Sequence, residues 1–200
     1  MNDPTLPPAS IREFIVASHF NFAKVQEMLA AHPELLNVQY DWGAQGGLEN
    51  GLQAASHIGN RAIAEFYLSR GVPTSIHTAA MLGNLDEVNA FLQQNPALAN
   101  APGVHGISLM FHAALSGSIP LVEALKAAGT TTGYSHALHA AINNHHTEMV
   151  RWLLANGAMD VNTPDYQGKM PLDRAFEENL SEVETLLRDH GAQATPAKSS

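Results

Sequence analysis

Apolar and polar positions follow a helical period along most of this 200-residue chain. Val25, Met28 and Leu29 stand at i, i+3 and i+4, which is one face of a helix. Glu148-Met149-Val150-Arg151-Trp152-Leu153-Leu154 predicts a second such helix, stopped at Gly157-Ala158. A short apolar helix opening at Leu138-His139 precedes it, turned by Asn143-Asn144-His145-His146. This unit of short helix, turn and outer helix recurs. Ile11–Ala17 pairs with Phe22–Leu29, and Pro33 helps to stop the second helix. Further short helices open at Leu52, Thr74, Ser108 and Met170, and their outer helices stop at Gly71, Asn95-Pro96, Gly129 and Gly191.

The residue between the two helices recurs as Gly59, Gly83, Gly117, His145 and Asn179. Glycine suits a left-handed helix stop because it has no Cβ, and Asn is the next best tolerated. With Phe20 as the first turn, the spacings are 39, 24, 34, 28 and 34. Only Val72-Pro73 separates Gly71 from Thr74, and only Thr130–Ser135 separates Gly129 from His136. Extended loops therefore fit after units one, three and five, and only short linkers after units two and four. Three loops start alike: His32-Pro33-Glu34-Leu35-Leu36-Asn37, Asn95-Pro96-Ala97-Leu98-Ala99-Asn100, and Gly157-Ala158-Met159-Asp160-Val161-Asn162.

These units resemble the ankyrin repeat, a turn and two antiparallel helices of about 33 residues with a T-P-L-H-x-A opening. The resemblance rests on Thr74-Ser75-Ile76-His77-Thr78-Ala79, on the opening at His139, and on the outer-helix run from Glu148 to Gly157 with Asp86-Glu87-Val88 and Leu121-Val122 in register. It covers roughly 11–192. No unit matches the opening in full, and two linkers are too short for a complete finger. The resemblance implies an all-α ankyrin-repeat solenoid of about six helix-turn-helix units, with fingers of uneven length. The expected division is a disordered lead over 1–10, one domain over 11–192 and a disordered tail over 193–200. In such stacks His77 and His139 brace a turn through backbone hydrogen bonds, and Phe111, which replaces that histidine in its unit, is expected to be internal.

Composition narrows the function. The net charge of -9 argues against nucleic acid and against an anionic membrane surface. The absence of cysteine excludes disulfides and thiolate chemistry. The N-terminal residues carry neither a basic region nor an apolar core, so they do not read as a signal peptide, and a cytoplasmic location is expected. Charge is uneven. Residues 160–190 hold eight acids against Lys169, Arg174 and Arg188, which reads as a solvated end cap, with an acidic docking face as the alternative. Residues 97–147 hold one acid, Glu123, one base, Lys126, and six of the eleven histidines.

Ankyrin-like geometry turns the ends of the inner helices and the fingers toward the concave side. The expected partner-binding positions are therefore His57, Met81, Leu115, Ser116, Asn143 and Asn144 on the helices, with Tyr40, Trp42, His105 and Tyr166 on the fingers. They would form an uncharged, partly apolar groove, the character of interface cores. The expected function is a non-catalytic scaffold that binds a partner protein there, with no cofactor and no metal. A monomer is expected, with self-association through the same groove as the other arrangement. Protonation of the central histidines below about pH 6.5 would weaken binding. The competing reading is a metal-dependent or hydrolytic module using the histidines of 136–146, where His136 and His139 stand at i, i+3. No nucleophile elbow, zinc-protease motif or complete phosphate loop accompanies them.

Overall fold

A computed structural model of the chain describes residues 6–44, 46–157 and 160–195. Among them twelve α-helices form six antiparallel pairs: α1 (Pro8–Phe20) with α2 (Phe22–Ala31), α3 (Gly51–His57) with α4 (Arg61–Ser69), α5 (Ile76–Met81) with α6 (Leu85–Gln94), α7 (Leu109–Ser116) with α8 (Ile119–Ala127), α9 (Tyr134–Asn143) with α10 (Thr147–Asn156), and α11 (Pro171–Glu177) with α12 (Ser181–Asp189). The odd-numbered helices stack on one another, as an ankyrin solenoid requires.

Five of the turns between paired helices use a left-handed residue. Gly59, Gly83, Gly117, His145 and Asn179 have φ of 80°, 74°, 70°, 57° and 56°. That conformation lets the next amide return to the preceding helix. Asn60, Asn84, His146 and Leu180 donate to the carbonyls of Ala55, Ala79, Ala141 and Ala175, each at 2.9 Å. The Asn60 and Asn84 side chains then cap the outer helices by accepting from Ile63 and Glu87 amides. The first turn differs from expectation. α1 runs through Phe20, and Asn21 alone bridges to α2, with its side chain accepting from the Lys24 amide at 3.1 Å.

Parts of the expected lead and tail are among the described residues. α1 starts at Pro8, whose missing N–H costs nothing in a first helical turn. Leu6 and Ile11 occupy the positions of a hydrophobic staple and are both buried. At the other end, the Gln193 amide donates to Asn162 and the Thr195 amide to Asp173. The rest of the expected lead and tail, 1–5 and 196–200, lies outside the described residues, as does Ala158 of the expected stop.

The extended fingers follow units one, three and five. The first contains β1 (Gln39–Asp41) paired antiparallel with β2 (Leu48–Asn50), so that Tyr40 faces Glu49 across the pair. Gly46 is required in its loop, because a Cβ there would lie 2.3 Å from Trp42 Cβ. The third closes through the Gly103 amide on the Ile107 carbonyl, and the fifth through Asp165 on Lys169. Repeated side chains fasten them. His77 Nε2 meets the Ala101 carbonyl and His139 Nε2 the Thr163 carbonyl, each 24 residues on. Asn100 and Asn162 likewise bind the carbonyl 29 residues on and the amide 31 residues on.

Two apolar clusters run along the stack. One spans units three to six around Met110, Leu121, Leu138 and Met149, and the other spans units one and two around Phe14, Val25, Ile63 and Tyr67, with Leu115 packed against both. Met81 belongs to the second cluster and is only 2% exposed. Its assignment to a binding surface is therefore corrected. The Met81 side chain packs into the apolar cluster of the preceding units, which covers it.

Candidate functional site

The uneven linkers shape the surface where the fingers meet the inner helices. The fourth linker is only Thr130–Gly133, so nothing extended stands between the third and fifth fingers. A groove of about 450 Å³ opens there. Pro102, His105 and Ile107 form one wall, Asp165 and Tyr166 the other, and Phe111, His136, His139 and Asn143 the floor. Tyr166 is 94% exposed, and an aromatic ring so placed has little intramolecular reason to be apolar. Phe111 is half-buried, packed on the core from one side while lining the groove with the other.

The expected binding residues divide among distinct environments. His105, Asn143 and Tyr166 line the groove. Asn144 is exposed but bonds back to the Ala140 carbonyl at the helix end. Leu115 and Ser116 are half-buried between units. Leu115 lends its carbonyl to His146, and Ser116 Oγ donates to Ala113. The histidines of 136–146 do not converge on a common centre. His136 faces the groove, His139 holds Thr163, His145 reaches Glu178 Oε2 at 3.2 Å, and His146 reaches Leu115.

Tyr40, Trp42 and His57 gather elsewhere, around a residue that periodicity did not mark. Glu49, on β2, is fully buried. Its Oε2 accepts from Trp42 Nε1 at 2.7 Å and lies 3.7 Å from His19 Nε2. Its Oε1 lies 3.0 Å from His57 Nδ1 and 3.4 Å from His105 Nε2. Tyr40 stacks edge-on against Trp42, and Arg12 covers the indole from the other side. Burial pushes the Glu49 carboxyl upward, but His57, His19 and the Trp42 indole outweigh that and hold it below the usual carboxylate range. Burial and the neighbouring His57 lower the His19 imidazole, more than Glu49 raises it.

Four elements build this cluster. His19 and His57 occupy matching places near the ends of successive inner helices, with ring centroids 4.9 Å apart. The first finger folds β2 beneath them, and the third finger brings in His105, whose φ of 57° is unusual for a residue with a side chain. Counting Phe20 level with Gly59 sets Ser18 opposite His57, so the pairing of His19 with His57 was not legible in the sequence. Nothing in local pattern marked Glu49, because a three-residue strand has no period.

Charges in the last unit mostly satisfy one another. Asp165 pairs with Arg174 at 2.5 Å, Glu182 with Arg151 at 2.7 Å, Glu177 with Lys169, and Glu178 with His145.

Comparison with known proteins places this geometry in a family. Residues 109–197 match the family model described as ankyrin repeats (3 copies). The crystal structure of the human ASB11 ankyrin repeat domain is similar in fold, with a TM-score of 0.51 at 24% identity, covering 72% of this chain and 71% of that one. Alpha-latrocrustotoxin-Lt1a of Latrodectus tredecimguttatus is 30% identical over 128 residues, which are 61% of this chain but 9% of the toxin. Among the described residues no helix is long and apolar enough to cross a membrane. Ankyrin repeats generally serve as non-enzymatic scaffolds for protein–protein interaction. Residues 109–197 thus belong to the ankyrin-repeat family, and the helix pairs that precede them carry the same fold.

Proposed function

We propose that this protein binds a partner protein through the groove between its third and fifth fingers, receiving an extended segment with an apolar side chain directed at Phe111. The single observation that carries this reading is the groove itself, walled by two full fingers because the linker between them is short. Several features favour a peptide-like occupant. The floor combines an aromatic ring with the polar edges of His136 and Asn143, so it can bury one apolar side chain and hydrogen-bond neighbouring backbone. The exposed Tyr166 can cover the bound segment, as aromatic residues do at interface centres. The fingers are fastened by His77, His139, Asn100 and Asn162, which limits the ordering cost of association.

Selection of peptides from a displayed library tests the reading. Peptides recovered on the wild-type protein should bind Asn143→Lys or Tyr166→Ala variants at least tenfold more weakly, while Glu65→Ala, on an outer helix, leaves affinity unchanged. Equal binding to all of them would refute the groove assignment.

A further inference from the structure

We propose that His19, Glu49 and His57 bind one divalent first-row transition ion, with Zn2+ the ion that best fits the donors. The site is separate from the histidines of 136–146 and from the groove floor. Among the described residues, His19, Glu49 and His57 are the group whose ligand atoms all lie within 4.8 Å of one another.

The spacing lets one ion reach all three side chains. Donors at 2.0–2.2 Å around a tetrahedral centre lie roughly 3.3–3.6 Å from one another. The separations are 3.0 Å from Glu49 Oε1 to His57 Nδ1 and 3.7 Å from Glu49 Oε2 to His19 Nε2, which bracket that spacing. Glu49 Oε1 and His57 Nδ1 are both buried, and neither has a hydrogen-bond partner among the described residues although they stand 3.0 Å apart. A buried carboxylate oxygen facing an imidazole nitrogen without hydrogen-bond geometry is costly. A cation held between them would satisfy both atoms at once.

The surrounding contacts orient the ligands. His19 Nδ1 lies 2.9 Å from the Ile15 carbonyl, an acceptor, so this nitrogen carries the proton and donates. The lone pair of neutral His19 is then on Nε2, the atom that faces Glu49. Histidine ligands are commonly held in this way through the other ring nitrogen. Trp42 Nε1 does the same for the carboxylate by donating to Oε2, which leaves Oε1 toward His57 and His105. Gly46 lets the first finger fold down beside His105, since a Cβ there would lie 3.1 Å from the His105 ring.

Ion identity follows from donor type. Imidazoles with one carboxylate suit Zn2+ and its neighbours, whereas Ca2+ and Mg2+ require mostly oxygen ligands. The side chains of His19 and His57 are 15% and 12% exposed and that of His105 is 29% exposed, so an ion can enter past His105. Once bound, it would join the ends of α1 and α3 to β2, next to His105 of the third finger, which also lines the groove.

The test uses the full chain, treated with chelator, dialysed and titrated with Zn2+ alone at pH 7.5 by calorimetry. Co2+ then serves as a spectroscopic reporter. One Zn2+ per chain is expected, with a visible Co2+ spectrum of low coordination number and a thermal midpoint that rises with Zn2+ concentration. Affinity should fall at least a hundredfold in H57Q and stay unchanged in H136A. Stoichiometry below a tenth of an ion per wild-type chain, or affinity in H57Q equal to wild type, overturns the proposal. In that case the cluster holds only a proton. The wild-type titration decides even if a variant fails to fold, and it is independent of whether the groove binds a peptide.

Discussion

Burial holds the His112 imidazole at a pKa of about 3, with the neighbouring charges of His77 and His57 acting in the same direction and its bond to the Ser108 carbonyl opposing them. The unfolded chain binds this proton near pH 6.5, and the folded chain does not. Stability is therefore full above pH 6.5 and falls as the pH drops below it, by about 1.4 kcal/mol per pH unit from this one group. Burial also lowers His77 and His139, which add with the same sign. The urea midpoint should decline steadily from pH 6.5 to pH 5, and an H112N variant should show a shallower decline. A midpoint independent of pH over that range would contradict the burial account. Of the six histidines in residues 97–147, burial thus disfavours protonation of His112 and His139. Residue chemistry was only partly legible for this reason. The resemblance to ankyrin repeats located His77 and His139 at bracing positions, but the depth of burial of His112 depends on His77 packing against it at a ring distance of 4.9 Å.

At the scale of elements, the turns are the most informative. Three of the five left-handed turn residues are glycine, and the α9–α10 turn instead places His145 at φ 57°. A residue with a Cβ costs roughly 1–2 kcal/mol in this conformation. The pair between His145 and Glu178 is exposed on both sides and offsets little of that. His145→Gly should therefore raise stability, by about 1 kcal/mol at most, seen as a higher thermal midpoint. A lower midpoint would mean that the Glu178 pair contributes more than an exposed pair usually does. The position of each such turn was readable from residue type. The lengths of the intervening linkers were readable too, and they anticipated which fingers are full. What those lengths create was not readable. The groove exists because two distant fingers flank a short linker across the stack, and no local window contains all three.

For the whole molecule, stability depends on each unit covering its neighbour. The last unit buries Leu172, Val183 and Leu187 against the apolar face of unit five. Burial of each such side chain contributes on the order of 1.5–3 kcal/mol. A chain ending at Lys169 should show a markedly lower denaturant midpoint and concentration-dependent association in light scattering. A truncated chain that remained monomeric, with an unchanged midpoint, would show that the last unit is not a cap. The pairing of its acids with Arg174, Arg151 and Lys169 fits the capping role expected of a charged terminal unit. The sequence by itself determined the repeat, the six helix pairs, the left-handed turns and the charged end. These arise from side-chain period and backbone preference, which act over one or two helical turns. Only the tertiary structure decided that Met81 is buried, that the third and fifth fingers wall a groove, and that Glu49 meets His19, His57 and His105. Those contacts join residues from separate units, and their meeting is set by how the units stack and the fingers fold back, which a local pattern does not encode.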